Sequence, residues 1–122
     1  MLDRFPCLEL LDISWSDNVT DVGLAAIARK FSNLKSLNLS FCRGIQSEGL
    51  VGVIGSKSLM SLNLLDLRGC VLVTDVVVGA ISVETMPELR LLDVRDSGIH
   101  VIDEKIAVEL PLLRVVTYAL LN

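Results

Sequence analysis

One phrase of sequence recurs along this chain and limits what it can fold into. An apolar residue is followed by two variable positions, an apolar-x-apolar triplet, two more residues and a small or thiol side chain. It reads Leu8-Glu-Leu-Leu11-Asp-Ile13-Ser-Trp-Ser16, then Leu34-Lys-Ser-Leu37-Asn-Leu39-Ser-Phe-Cys42. Two further copies are Leu62-Asn-Leu-Leu65-Asp-Leu67-Arg-Gly-Cys70 and Leu89-Arg-Leu-Leu92-Asp-Val94-Arg-Asp-Ser97. A weaker fifth begins at Leu113 and runs through Val116 and Tyr118 to Leu121. Start-to-start spacings are 26, 28, 27 and 24 residues, a period that marks repeat architectures.

The second half of each unit repeats as well. Asn18-Val-Thr-Asp-Val-Gly-Leu24 answers to Gly44-Ile-Gln-Ser-Glu-Gly-Leu50 and to Leu72-Val-Thr-Asp-Val-Val-Val78. Thr20, Ser47 and Thr74 are candidate helix N-caps, because a short oxygen side chain accepts from the first free backbone N–H groups. Leu24, Ile27, Ala28 and Phe31 then fall on one helical face, as do Leu50, Val53 and Ile54, and Val77, Val78 and Ile81. Gly52 and Gly55 lower helix propensity, so the second helix is expected to be short. Leu11 and Ile13 alternate with Asp12 and Ser14, the period-two pattern of a strand with one apolar face. Each unit is therefore a short strand, a turn and a helix. No such unit buries its apolar face alone; stacked copies do. The fold expected is an α/β solenoid of four to five repeats over residues 1–122, one domain. Its parallel sheet lies on the concave side and its helices on the convex side. The 23 leucines, within a chain that is 52% hydrophobic, supply the shared interior.

These phrases resemble leucine-rich repeats, specifically the cysteine-containing type of F-box proteins and other ribonuclease-inhibitor-like proteins. Leu37-Asn-Leu-Ser-Phe-Cys42 followed by Gly49-Leu50, and Leu65-Asp-Leu-Arg-Gly-Cys70 followed by Val73-Thr-Asp75, carry the resemblance, with Thr20-Asp-Val-Gly-Leu24. It covers about residues 7 to 121. Ser16 and Ser97 stand where the subtype has Cys, and the fourth unit offers only a short stretch from Glu104 to Leu110 as a helix. The resemblance implies a protein-interaction scaffold, the substrate-recognition segment of a Skp-cullin-F-box ubiquitin ligase subunit or a truncated relative. The alternative is a regulatory or inhibitor repeat protein with no ubiquitin link. The chain starts almost inside a repeat, so no F-box is expected in it, and adaptor binding is carried onto no residue.

Stacking predicts three rows on the polar strand face. Asp12, Asn38, Asp66, Asp93 and Thr117 form one; Ser14, Ser40, Arg68, Arg95 and Ala119 form the next; Leu10, Ser36, Leu64, Leu91 and Val115 form a third. Asp66 beside Asp93 needs compensation, and Arg68 and Arg95 are the nearest cations. Arginine anchors with apolar neighbours suit a protein-binding patch; a solvated charged face is the plain reading. Trp15 and Phe41 occupy equivalent places at the strand-to-turn edge, either as an exposed aromatic ledge or partly buried against the next unit's turn. The candidate partner-binding residues are thus Asp12, Asn38, Asp66, Arg68, Asp93, Arg95, Trp15 and Phe41.

Other functions find little support. A net charge of −4 disfavours phosphate binding, so no nucleic-acid partner is expected. One His (His100) and three Cys (Cys7, Cys42, Cys70) make no four-ligand zinc site, and no cofactor or metal is expected. Cys42 and Cys70 read as buried thiols filling the turn, against a redox pair or metal site; Cys7 reads as the end of a preceding unit. His100 has Asp103 and Glu104 nearby but no nucleophile in a credible arrangement, so no catalytic residues are assigned and the chain is read as no enzyme. No signal peptide or membrane span is evident; together with unpaired cysteines this predicts a cytoplasmic or nuclear protein. Asn18-Val-Thr20 and Asn38-Leu-Ser40 then match the glycosylation pattern by chance. Neither end carries a polar cap, which predicts self-association through uncapped ends and marginal stability.

Overall fold

In the computed structural model the described residues are 7–117. Strand and helix alternate without exception. The strands are β1 (Leu10–Asp12), β2 (Ser36–Asn38), β3 (Leu64–Asp66), β4 (Leu91–Asp93) and β5 (Arg114–Val116). Between them lie α1 (Asp21–Lys30), α2 (Ser47–Gly55), α3 (Val76–Ala80) and α4 (Lys105–Glu109). The strands form one parallel sheet in the order β1-β2-β3-β4-β5, so each unit stacks on its sequence neighbour and the leucine-rich solenoid expected from the repeats is what forms.

The interior follows from alternation. Leu37, Leu65 and Leu92 at the strand centres, and Leu39, Leu67 and Val94 two residues on, point inward and are buried. Leu34, Leu62 and Leu89 before the strands are buried too, as are Leu24, Leu50, Val77 and Val78 from the helices. These form one continuous core between sheet and helices.

The fifth unit departs from the expected register. Leu91 pairs with Arg114, Leu92 with Val115 and Asp93 with Val116. Leu113 closes its turn through an N–H donated to Leu110 O, as Leu89 does to Met86 O. In the earlier units one residue separates that leucine from the strand; here Arg114 starts the strand at once. The side-chain period of two then turns Val115 inward, where Val116 was expected. Val116 and not Thr117 continues the Asp12 row, and Arg114 and not Val115 continues the Leu10 row. The expected places of Tyr118, Ala119 and Leu121, and the C-terminal end with its missing cap, lie outside the described residues.

Helix lengths also differ from expectation. α2 keeps 9 residues despite Gly52 and Gly55, because Leu50, Val53 and Ile54 hold it to the core and tertiary packing overrides propensity. The short helices are α3 and α4, with 5 residues each.

Two substitutions test this description in opposite directions. Leu67→Ala, at a fully buried site, is expected to lower unfolding free energy by ~2–5 kcal/mol. Gly52→Ala places its methyl in open space on an exposed helix face and is expected to raise it by ~0.5–1 kcal/mol. Urea denaturation followed by circular dichroism measures both.

Candidate functional site

The polar face of the sheet is built by a repeated turn. At the end of each of the first four strands a side-chain oxygen accepts the backbone N–H two residues on. Asp12 Oδ1 takes Ser14 N–H at 2.9 Å, Asn38 Oδ1 takes Ser40 N–H at 2.8 Å, Asp66 Oδ1 takes Arg68 N–H at 3.0 Å, and Asp93 Oδ1 takes Arg95 N–H at 3.1 Å. Asp and Asn suit this position because their side chains readily bond their own backbone two residues on. Asp12 is held below the usual carboxylate range by the Ser14 hydroxyl and N–H. The acidic row, expected as a binding patch, therefore has a structural duty first.

The residue that follows this turn by one position adopts a left-handed backbone in all four units. Trp15 has φ of 63°, Phe41 59°, Gly69 75° and Asp96 59°. The parallel ladder still runs through it: Trp15 N–H donates to Ser40 O, Phe41 N–H to Arg68 O and Gly69 N–H to Arg95 O. This conformation turns the chain out of the sheet and aligns the side chains along one edge. The Trp15 and Phe41 rings stack with centroids 4.0 Å apart and planes 5° from parallel. Phe41 in turn lies over Gly69, where any Cβ would overlap the ring. Phe41 is half-buried as expected of packing on the next unit, whereas Trp15 is 65% exposed and forms the ledge. The sequence signal for the left-handed position was present in Gly69 and Asp96, two residue types that tolerate positive φ.

The two arginines differ sharply. Arg95 closes on Asp93 of its own strand, with Nε to Oδ1 at 3.0 Å and Nη2 to Oδ2 at 2.7 Å. Burial would raise the Asp93 pKa, but these bonds and the charges of Arg95 and Arg68 bring it below the usual value. Arg68 forms no ion pair among the described residues. Its guanidinium carbon sits 5.6 Å from the Phe41 ring centroid, within cation–π range. The expected pairing of both arginines with the Asp66–Asp93 pair is thus realised as a bidentate ion pair at Arg95, with Arg68 acting on Asp93 only through space.

Polar ties also run between units. Asp21 Oδ1 accepts Gln46 N–H at 2.8 Å, Ser47 Oγ accepts Thr74 N–H at 2.8 Å, and Asp75 Oδ1 accepts His100 and Val101 N–H at 2.6 and 3.1 Å. The two His100 and Val101 donors hold Asp75 below its ordinary pKa. The expected N-caps are corrected here. Thr20 occupies the cap position of α1 without a side-chain cap bond, Gln46 and Asp75 cap α2 and α3 by position, and the oxygens of this segment bridge units instead. Residues 25 or more apart meet in these bonds, which no local reading of the chain exposes.

Cys42 Sγ donates to Ile13 O at 3.1 Å and Cys70 Sγ to Leu39 O at 3.0 Å, so each thiol ties its unit to the preceding strand. Burial is the main cause that pushes the Cys42 thiol up and the Cys70 thiol up to about 12. Thiols so held are poor nucleophiles. Ser97 departs from this pattern, donating to Val94 O of its own unit and accepting Ile99 N–H. His100 meets Asp75 through its backbone N–H, with its side chain exposed. Among the described residues no group of three His, Cys, Asp or Glu is placed to hold a metal, and no helix is long and apolar enough to cross a membrane.

With this geometry in view the relationships to known proteins are informative. A family model described as leucine-rich repeat matches residues 6–28 and 32–53. Those residues are leucine-rich repeats, and the parallel sheet continues the same strand-and-helix stacking through Val116. Repeats of this family make protein-interaction scaffolds, and the strand face described above is the scaffold's polar surface. The chain is also 38% identical over 68 residues to the F-box protein SKIP1 of Arabidopsis thaliana, a match covering 52% of this chain and 22% of that protein. The chain thus spans 22% of the length of the curated relative it matches.

Thiol chemistry checks the repeat packing. Cys7 is exposed and is expected to react with Ellman's reagent at once, while Cys42 and Cys70 react only on unfolding. The folded Cys70 thiol keeps its proton to about 12 while an unfolded thiol releases it near 9.0. Its raised pKa therefore contributes stability in full below pH 9 and loses it as pH rises toward 12, so denaturation midpoints are expected to fall across that window. A native protein in which all three thiols react equally fast contradicts this packing.

Proposed function

We propose that this chain is the substrate-recognition repeat segment of an F-box-type ubiquitin ligase subunit and acts in the cytoplasm or nucleus. The observation that carries the reading is the 38% identity to an F-box protein over 52% of the chain. The strand face is its docking surface. Trp15, Phe41 and Arg68 are its contact residues, because Trp15 is exposed and Arg68 has no carboxylate partner among the described residues. Asp12, Asn38, Asp66 and Asp93 shape the surface, since each holds a turn that positions the arginine or serine two residues on. Arg95 contributes mainly by neutralising buried Asp93. Reduced Cys42 and Cys70, each donating to a neighbouring strand, suit a reducing compartment.

Affinity purification with mass spectrometry of the tagged full-length gene product that carries this segment tests this reading. The expected outcome is recovery of cullin-ligase components together with a protein that accumulates when the proteasome is inhibited. That second protein is lost from the Trp15→Ala/Arg68→Gln double variant, whose circular dichroism melt stays close to that of the parent. Partners devoid of ligase components contradict the ligase assignment. Partners unaffected by the double variant contradict the assigned surface.

A further inference from the structure

The strand face has one unmet polar group. The Nε of Arg68 is buried and has no hydrogen-bond partner among the described residues. A buried guanidinium N–H left unpaired is unfavourable, and native proteins keep few such groups without a use. Arg95, its counterpart on the next unit, has Nε on Asp93 Oδ1 at 3.0 Å and Nη2 on Asp93 Oδ2 at 2.7 Å. Asp66 stands to Arg68 as Asp93 stands to Arg95, yet its Oδ1 accepts only the Arg68 backbone N–H. The difference lies in Phe41. Its ring lies 5.6 Å from the Arg68 guanidinium carbon, whereas the equivalent neighbour of Arg95 is Gly69, which has no ring to offer. The same ring stacks on Trp15 from the preceding unit.

Resting on the docking reading above, we propose that this corner binds an extended acidic peptide segment of a partner protein. A carboxylate of that segment draws the Arg68 guanidinium outward and takes its Nε–Nη edge, and an apolar or aromatic side chain lies on the exposed Trp15 ring. Charge complementarity selects a carboxylate. A planar guanidinium matches it with two parallel bonds, while phosphate readers gather several arginines and here Arg95 is already neutralised by Asp93. The spacing follows from the solenoid. Trp15 and Arg68 belong to units two steps apart, about 10 Å at roughly 4.8 Å per strand, which an extended peptide spans in two to three residues. The net charge of −4 opposes an acidic segment only weakly, because at physiological salt charges beyond about 8 Å are largely screened and the contact at Arg68 is local.

An oriented library of dodecapeptides tests the proposal on the full 122-residue chain. One central position is fixed as Asp/Glu, Asn/Gln, Lys/Arg or Ala in an otherwise degenerate sequence. Trp15 is the single tryptophan, so its fluorescence reports occupancy of the ledge directly. The expected result is enrichment of Asp/Glu over Asn/Gln with Leu, Phe, Tyr or Trp two or three positions away, and a Trp15 spectral shift on binding. Arg68→Gln is expected to weaken the enriched peptides about tenfold or more, with Trp15→Ala weakening them similarly. Arg114→Gln, exposed on the same face, leaves binding unchanged. Thermal melts confirm that each variant is folded. Capture that ignores the fixed charge but fails in Trp15→Ala overturns the carboxylate site while leaving the docking surface in place. Binding that survives both Arg68→Gln and Trp15→Ala overturns the surface itself. Selection of Lys/Arg peptides, or no capture at all, overturns the acidic-segment proposal.

Discussion

Every strand here is only three residues long, too short to persist without neighbours. What makes such strands persist is in-register burial of one inward leucine per unit against the same leucine of the next. Leu11, Leu37, Leu65 and Leu92 pair in turn, with Val115 completing the row. Because that row is fixed, everything attached to it is fixed as well. Equivalent outward residues come to lie one strand spacing apart, and a surface is assembled from positions about 26 residues apart in sequence.

Side-chain oxygens and thiols perform the remaining alignment. Asp12, Asn38, Asp66 and Asp93 end the first four strands in the same turn, and the following left-handed residue comes to the same edge of the sheet. Asp21, Ser47 and Asp75 bond across to the backbone of the next unit, and Cys42 and Cys70 bond back to the previous one. Individually these bonds are worth about 0.5–1.5 kcal/mol. Their effect on shape is larger than on stability, since most of them tie one unit to the backbone of its neighbour. The aromatic pair exists only within this frame. Glycine at 69 makes room for the Phe41 ring, and Phe41 in turn sets the distance at which Arg68 rests.

Much of this was legible in the chain. The units, the inward Leu39 and Leu67, the shared row of Asp12, Asn38, Asp66 and Asp93 and the short fourth helix follow from spacing alone. Hydrophobic periodicity of two or 3.6 residues is a local property, and each unit repeats it. The register of the fifth strand was not legible, because one missing residue after Leu113 reverses which valine faces the core. The inter-unit bonds of Asp21, Ser47 and Asp75 were hidden for a different reason. A Thr-Asp pair before a helix reads equally well as a cap, and only the packed neighbour offers the competing donor. The fates of Arg68 and Arg95 depend on whether an aromatic ring or a carboxylate reaches the guanidinium first, which is decided by Phe41 in the adjacent unit.

The measurement closest to the heart of this account is the pattern of cross-strand nuclear Overhauser contacts in the labelled protein. The account predicts contacts that step from Leu37 to Leu65, from Leu65 to Leu92 and from Leu92 to Val115, all in parallel register. Contacts joining Leu92 to Val116 in place of Val115 contradict the fifth-unit register. Antiparallel contacts, or none between successive units, contradict the solenoid and with it the surface built upon it.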